Sequence, residues 1–263
     1  MSFPSAGGPD QPTHPRQPLP TLAQGPTWIV VAKPPGLLVH RNPRMRTEYA
    51  ALQRVRDAVG KRVYPIHRID RPASGCLLFA TERTSAGPLH ASLCAANSRK
   101  TYLAFVRGAF PHETEVLIET PMKDDNGFLK DAASRVRCIG RSHEPRCSLL
   151  VVEPLTGRYH QVRRHVRDLH HPVIHDGDHG DSRINRWWRE NFGVTRLGLH
   201  AFRLSMTLPN GEPLLVTCPL FVDQAKIWRD LPWWEEAVAQ EPDLLLPPLP
   251  LLDQTETTIE AEN

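Results

Sequence analysis

Short apolar runs, each closed by turn chemistry, recur along this chain and leave little room for long helices. Runs at 28–32, 63–66, 76–80, 99–106, 147–153, 199–206 and 214–217 have strand length. Pro34-Pro35-Gly36 ends the first sharply, and Asn210-Gly211 joins the last two as a hairpin. Helical spacing is confined to 47–60, 84–97, 162–169 and a short stretch at 227–239. Short strands at 115–119 and 134–139 flank a polar loop. Many strands with few helices predict an α+β fold. Its sheet is mixed and mostly antiparallel, with helices and loops flanking a basic cleft.

Composition sets the outer limits. Residues 1–26 carry seven prolines among Gln, Ser and Gly, a composition expected to stay disordered. One catalytic domain is expected over 27–241, followed by a loose Pro/Leu-rich and acidic tail at 242–263. The five cysteines, Cys76, Cys94, Cys138, Cys147 and Cys218, form no C-x-x-C pair, which fits reduced thiols in the cytoplasm. No apolar run approaches the ~18 residues of a membrane span, and the start shows no basic-then-apolar pattern of the kind expected of a signal peptide. Net charge is only +3, which by itself indicates no nucleic acid. The distribution says more: seven arginines and no lysine lie between Arg158 and Arg189. Arginine suits planar, bidentate contacts to phosphates and bases.

Chemistry concentrates in His67-Arg68-Ile69-Asp70-Arg71-Pro72-Ala73-Ser74-Gly75, between two apolar runs. Pro72, Ser74 and Gly75 make this an exposed turn. Arg68 and Arg71 beside Asp70 favour the ionised carboxylate, which can then act as nucleophile or base. A solvated turn with surface ion pairs is the plain reading of those residues alone. A second cluster, His175 and His179 with nearby acids, has spacing that zinc sites use. Pro172 and two glycines interrupt the helix that would align such ligands.

The first stretch resembles the H-R-L-D-x-x-T-S-G signature of the RluA-type pseudouridine synthases. Four more stretches resemble that family: Lys33-Pro34-Pro35-Gly36 with Val39-His40, Lys100-x-Tyr102-x-Ala104, Gly157-Arg158-Tyr159-His160-Gln161-Val162-Arg163, and His171-Pro172-Val173-Ile174-His175-Asp176 with His179-Gly180-Asp181. The basic insertion around Arg183, Arg186, Trp187 and Trp188, with Asn191-Phe192-Gly193 and Arg196-Leu197-Gly198-Leu199-His200-Ala201, is similar to the tRNA pseudouridine-65 synthase branch. Many members carry a helical S4 domain ahead of the catalytic stretch, for which the first 26 residues offer no room.

The resemblance implies conversion of a uridine in RNA to pseudouridine, with no cofactor and no metal. It implies Asp70 as the catalytic carboxylate, attacking C1′ or removing the C2′ proton. It implies Tyr102 against the base, Arg163 as the ion partner of Asp70, and Arg68 filling the space of an extruded nucleotide. Arg71, Arg158, Arg183 and Arg186 are expected to contact RNA, most naturally tRNA, in a monomeric protein. Ribosomal RNA is the alternative target, and a metal-dependent hydrolase using His175 and His179 the alternative chemistry. Trp187 and Trp188 are read either as stacking platforms or with one of them anchoring the loop to the core. Lys33 is read as meeting phosphate or as a solvated edge lysine. Two departures stand out: Ala32 replaces the family's Asn, and His175 replaces a Gly, which is strained if that position needs positive φ. The 121–147 segment is also shorter than in tRNA-type relatives.

Overall fold

Every apolar run named above is a strand in the computed structural model, which describes residues 17–40, 50–124 and 126–251. The strands are β1 (Thr21–Gln24), β2 (Trp28–Lys33), β3 (Tyr64–Pro65), β4 (Ser74–Ala80), β5 (Arg99–Arg107), β6 (Val116–Ile118), β7 (Met122–Lys123), β8 (Leu129–Lys130), β9 (Ser134–His143), β10 (Arg146–Pro154), β11 (Leu199–Thr207) and β12 (Pro213–Thr217). Among the described residues ten of them form one sheet, in the order β1-β2-β4-β11-β5-β10-β9-β6, with β12 on β11 and β3 on β4. The short β7 and β8 pair separately.

All named pairings are antiparallel except β4 with β11, which meet in parallel at Ser74↔His200 and Ala201↔Gly75. This short join unites the two halves of the sheet. Gly75 makes it possible. Its φ is 120°, and a Cβ there would overlap the carbonyl of Ala201, so a side chain would push the strands apart. Every residue of β4 is buried, as expected of a central strand covered on both faces.

The helices are α1 (Ala51–Val59), α2 (Arg83–Cys94), α3 (Gln161–Asp168), α4 (Ser182–Phe192), α5 (Val222–Arg229) and α6 (Trp234–Gln240). None is long and apolar enough to cross a membrane. Gly60 ends α1 at φ 73°, a left-handed C-terminal cap. The single helix expected at 227–239 is two helices. The break lets Trp228 and Trp233 both pack on Phe105, at centroid distances of 5.9 and 5.7 Å. Five residues of unbroken helix would turn them to different faces.

Both outer boundaries need correction. Residues 21–24 of the supposedly disordered start form β1, an edge strand on β2, with Leu19 buried. Ala32 also donates its N–H to the Pro20 carbonyl. Proline is tolerated in such a place because an edge leaves one side of the ladder unpaired. In the expected loose tail, Pro242–Leu245 forms a 3-10 turn that buries Leu244, and Leu249 bridges to Phe221. Apolar contact orders this segment despite its prolines. Residues 1–16 and 252–263 lie outside the described residues, as does the expected helix start at Thr47.

Candidate active site

Asp70 lies in the turn that leads into β4, next to the parallel join. The turn closes with the Ala73 N–H donating to the Asp70 carbonyl at 3.1 Å. It is tied to the loop after β2 by the Gly36 N–H and by Lys33 Nζ, both donating to the Arg71 carbonyl. Lys33 corrects the expectation of an edge or phosphate-binding lysine. It is fully buried, and Nζ also donates to the carbonyls of Pro34 and Leu37. Burial pushes its ammonium down to about 7, against the pull of the Asp70 charge. Three carbonyl acceptors satisfy its three donors.

His67 is structural too. Its Nε2 accepts the Leu78 N–H at 3.1 Å, and burial pushes the ring down to about 4. Ser74 belongs to a buried chain of hydrogen bonds. The Cys218 carbonyl can only accept, so His200 Nε2 donates to it at 3.0 Å. His200 Nδ1 then accepts from the Ser74 hydroxyl at 2.8 Å, whose oxygen accepts Arg196 Nη1 at 3.0 Å. Arg196 is clamped in turn by both oxygens of Asp223. This chain pins the start of β4 to β11 and α5.

The Asp70 carboxylate, with 23% of its side chain accessible, receives Arg163 Nη1 at 3.2 Å. Arg163 is itself only 1% exposed. Its Nε and Nη2 donors go to Asp176, at 2.7 and 2.5 Å, and to Asp178, at 2.6 Å from Nη2. Burial opposes the guanidinium charge, and these carboxylates outweigh it, raising the Arg163 pKa. Asp176 is held charged in the same way: burial raises its pKa, and Arg163 with two backbone N–H donors lowers it further than that. Arg163 therefore points inward, whereas Arg167, one turn further along α3, is exposed and paired with Asp168.

Tyr102 sits on β5, opposite Ala201 of β11 and Val152 of β10, and its half-buried ring joins two core clusters near Ala73 and Ile69. Burial and the Asp70 charge raise its pKa, so the phenol stays protonated and can donate a hydrogen bond. His160 caps α3 at φ 52°. Its Nε2 lies 3.9 Å from Asp70 Oδ2, and its Nδ1 is 3.0 Å from His179 Nε2.

The expected RNA contacts divide. Arg68, Arg183 and Arg186 are exposed, Arg183 with 88% of its side chain accessible. Arg71 Nε donates to Gly36 and Arg158 Nε to Asp131. Trp188 is the core anchor, edge-on to Phe105 at 5.2 Å, while Trp187 is 43% exposed. His175 does have the positive φ that its replaced Gly implied, at 63°. Its N–H is held by Asn185 Oδ1, and Asn185 Nδ2 holds the Asp176 carbonyl. Among the described residues no three His, Cys, Asp or Glu side chains, those of His175 and His179 included, converge as metal ligands.

Asp176, Asn185 and the Ser74–His200–Arg196 chain were not singled out in the sequence. Asp176 stands beside the flagged His175, a signal that was available. Gln161 is another. It accepts the Arg158 N–H and the Thr156 hydroxyl and donates to Ala133 and Ser134, fixing the entry to α3.

The model of the family described as RNA pseudouridylate synthase matches residues 27–168, more than half of the chain. This chain belongs to that family. As an RNA pseudouridylate synthase it is an isomerase. Over 232 residues it is 38% identical to the tRNA pseudouridine synthase C of Pasteurella multocida, covering 80% of this chain and 93% of that one. The protein of the same name from Yersinia pestis is 38% identical over 209 residues, covering 72% and 81%. Among solved structures, the human RNA pseudouridylate synthase domain containing 1 superposes with a TM-score of 0.63 at 23% identity, covering 80% of this synthase and 86% of that chain. The human domain containing 4 gives the same TM-score at 18% identity. These two show the shared fold.

Proposed function

We propose that this synthase converts a uridine of tRNA, at position 65, to pseudouridine, with Asp70 as the reacting carboxylate. The observation that carries the assignment of Asp70 is its partly open carboxylate, backed by a buried arginine at 3.2 Å. The tRNA target rests on the names of the relatives at 38% identity and on the resemblance of the basic insertion to the tRNA pseudouridine-65 synthase branch.

The reaction breaks the N1–C1′ bond, turns the uracil and forms a C5–C1′ bond. The hydrogen on C5 leaves as a proton and N1 gains one, so atoms and charge balance with no other reactant. Asp70 attacks C1′ or removes the C2′ proton; in either step Arg163, at 3.2 Å, holds the carboxylate in place. Tyr102, protonated, packs against the base, where its hydroxyl can donate a hydrogen bond. Arg68, exposed beside Asp70, occupies the gap left in the RNA stack. The five free cysteines fit a cytoplasmic protein, which the same reading takes to act as a monomer.

The test incubates unmodified tRNA transcripts and ribosomal RNA fragments with the protein and maps pseudouridine by carbodiimide-dependent reverse-transcription stops. A stop at tRNA position 65 is expected, and Asp70→Asn should lower turnover by more than about 10⁴-fold while retaining RNA binding. A stop only in ribosomal RNA would discard the target and keep the chemistry. Normal turnover by Asp70→Asn would sink the role of Asp70.

A further inference from the structure

A groove of about 850 Å³ opens at the C-terminal end of α3, at the opposite end of that helix from His160. Arg107 from the end of β5, Arg146 from the start of β10, Arg167, His171 and Trp187 line it, and no acid does. Arg167 is engaged by Asp168. Arg107 and Arg146 are exposed, and neither makes an ion pair among the described residues. The groove wall is built rather than incidental. His171 is bonded to the Arg107 carbonyl at 2.8 Å and packs edge-on against Phe110 at 5.0 Å. Gly108, at φ 87°, passes close under the same ring. Trp187 stands over this groove, and it is the exposed one of the protein's six tryptophans.

We infer that this groove is a second RNA-docking site, which binds the sugar-phosphate backbone away from the target uridine through Arg107 and Arg146 and stacks a base on Trp187. The inference rests on the RNA-modifying reading above. Charge selects the occupant: two exposed arginines outside any ion pair, with Asp181 acting on Arg107 only at longer range, fit a polyanion, and an exposed indole beside them fits a base. Position supports it as well. The helix α3 spans about 12 Å from His160, whose Nε2 lies 3.9 Å from Asp70, to the groove wall at Arg167. An RNA with its target uridine at Asp70 and Tyr102 therefore reaches the groove within several nucleotides. The insertion carrying α4 supplies Trp187, so the docking site and the basic helix are one device.

The test measures binding of a fluorescently labelled tRNA transcript by anisotropy across a salt series, with wild type, the double variant Arg107→Gln/Arg146→Gln and Trp187→Phe. The double variant should bind about tenfold more weakly at 0.15 M salt, and its slope of log Kd against log salt should fall by about 1.5, the release of two phosphate contacts. RNA should quench tryptophan emission in the wild type, and that quenching should be largely absent in Trp187→Phe, which keeps an aromatic ring against Trp188 and Phe192. Unchanged affinity and slope in the double variant, with the wild type active, would overturn the site and leave an acidic protein as the groove's occupant. A wild type that neither binds RNA nor forms pseudouridine would instead overturn the functional reading itself.

Discussion

Four hydrogen bonds leave the Arg163 guanidinium, and one of them reaches Asp70. The other three make Asp176 and Asp178 the residues that aim it. A buried guanidinium without a full partner is costly, because desolvation is no longer offset. Asp176→Asn should therefore destabilise the protein by about 3–5 kcal/mol, seen as a lower urea midpoint. The misaimed Arg163 should lower kcat more than it raises KM. A variant with wild-type stability and kcat would show that Asp70 and Asp178 hold Arg163 unaided. Tyr102 illustrates the same sensitivity to neighbours: a half-buried phenol next to a carboxylate keeps its proton and is available as a hydrogen-bond donor.

At the scale of elements, the join between β4 and β11 and the helix α4 carry the most weight. Gly75→Ala would set a methyl group into the Ala201 backbone at a φ that L residues avoid. It should cost more than about 3 kcal/mol and displace the Asp70 turn, so turnover should be lost even where the variant remains folded. Chemical denaturation with a parallel activity assay checks both. α4 is amphipathic in function as well as in packing. Trp188 anchors it to Phe105, Asn185 holds the 175–176 segment behind Arg163, and Arg183 and Arg186 face solvent. Replacing those two arginines by Gln should weaken RNA binding and lower the salt slope by about 1.5, with no change in the thermal midpoint. An unchanged slope would remove them from the RNA interface.

For the whole molecule, stability should depend on pH through two neutral histidines, the buried His200 and the half-buried His67. Burial pushes His67 and His200 to about 4 from an ordinary 6.5, so below 6.5 the unfolded chain binds protons that the folded one refuses. Stability is full above about pH 6.5 and falls as pH drops toward 4, by about 3 kcal/mol for each ring. Urea titrations at pH 7 and 4.5 measure the fall, and His200→Gln should lessen it; a pH-independent midpoint would contradict it. Strands, turns and most helices were legible because their signals are local: apolar runs of strand length, Pro-Pro-Gly, Asn-Gly and a left-handed Gly60. Local composition also misled, at β1 and at 242–251, where apolar contact with distant residues orders proline-rich chain. The sequence by itself determined the family, put forward Asp70, Tyr102 and Arg163 as the residues to examine, and pointed to the positive φ of His175. Tertiary structure alone decided that Lys33 is an internal clamp, that Asp176 aims Arg163, that Trp188 is buried and Trp187 exposed, and that Arg107 and Arg146 share a groove. Asp70 and Arg163 lie 93 positions apart, and Arg107 and Arg146 come from different strands. Such pairings are set by long-range packing and desolvation, which no local pattern encodes.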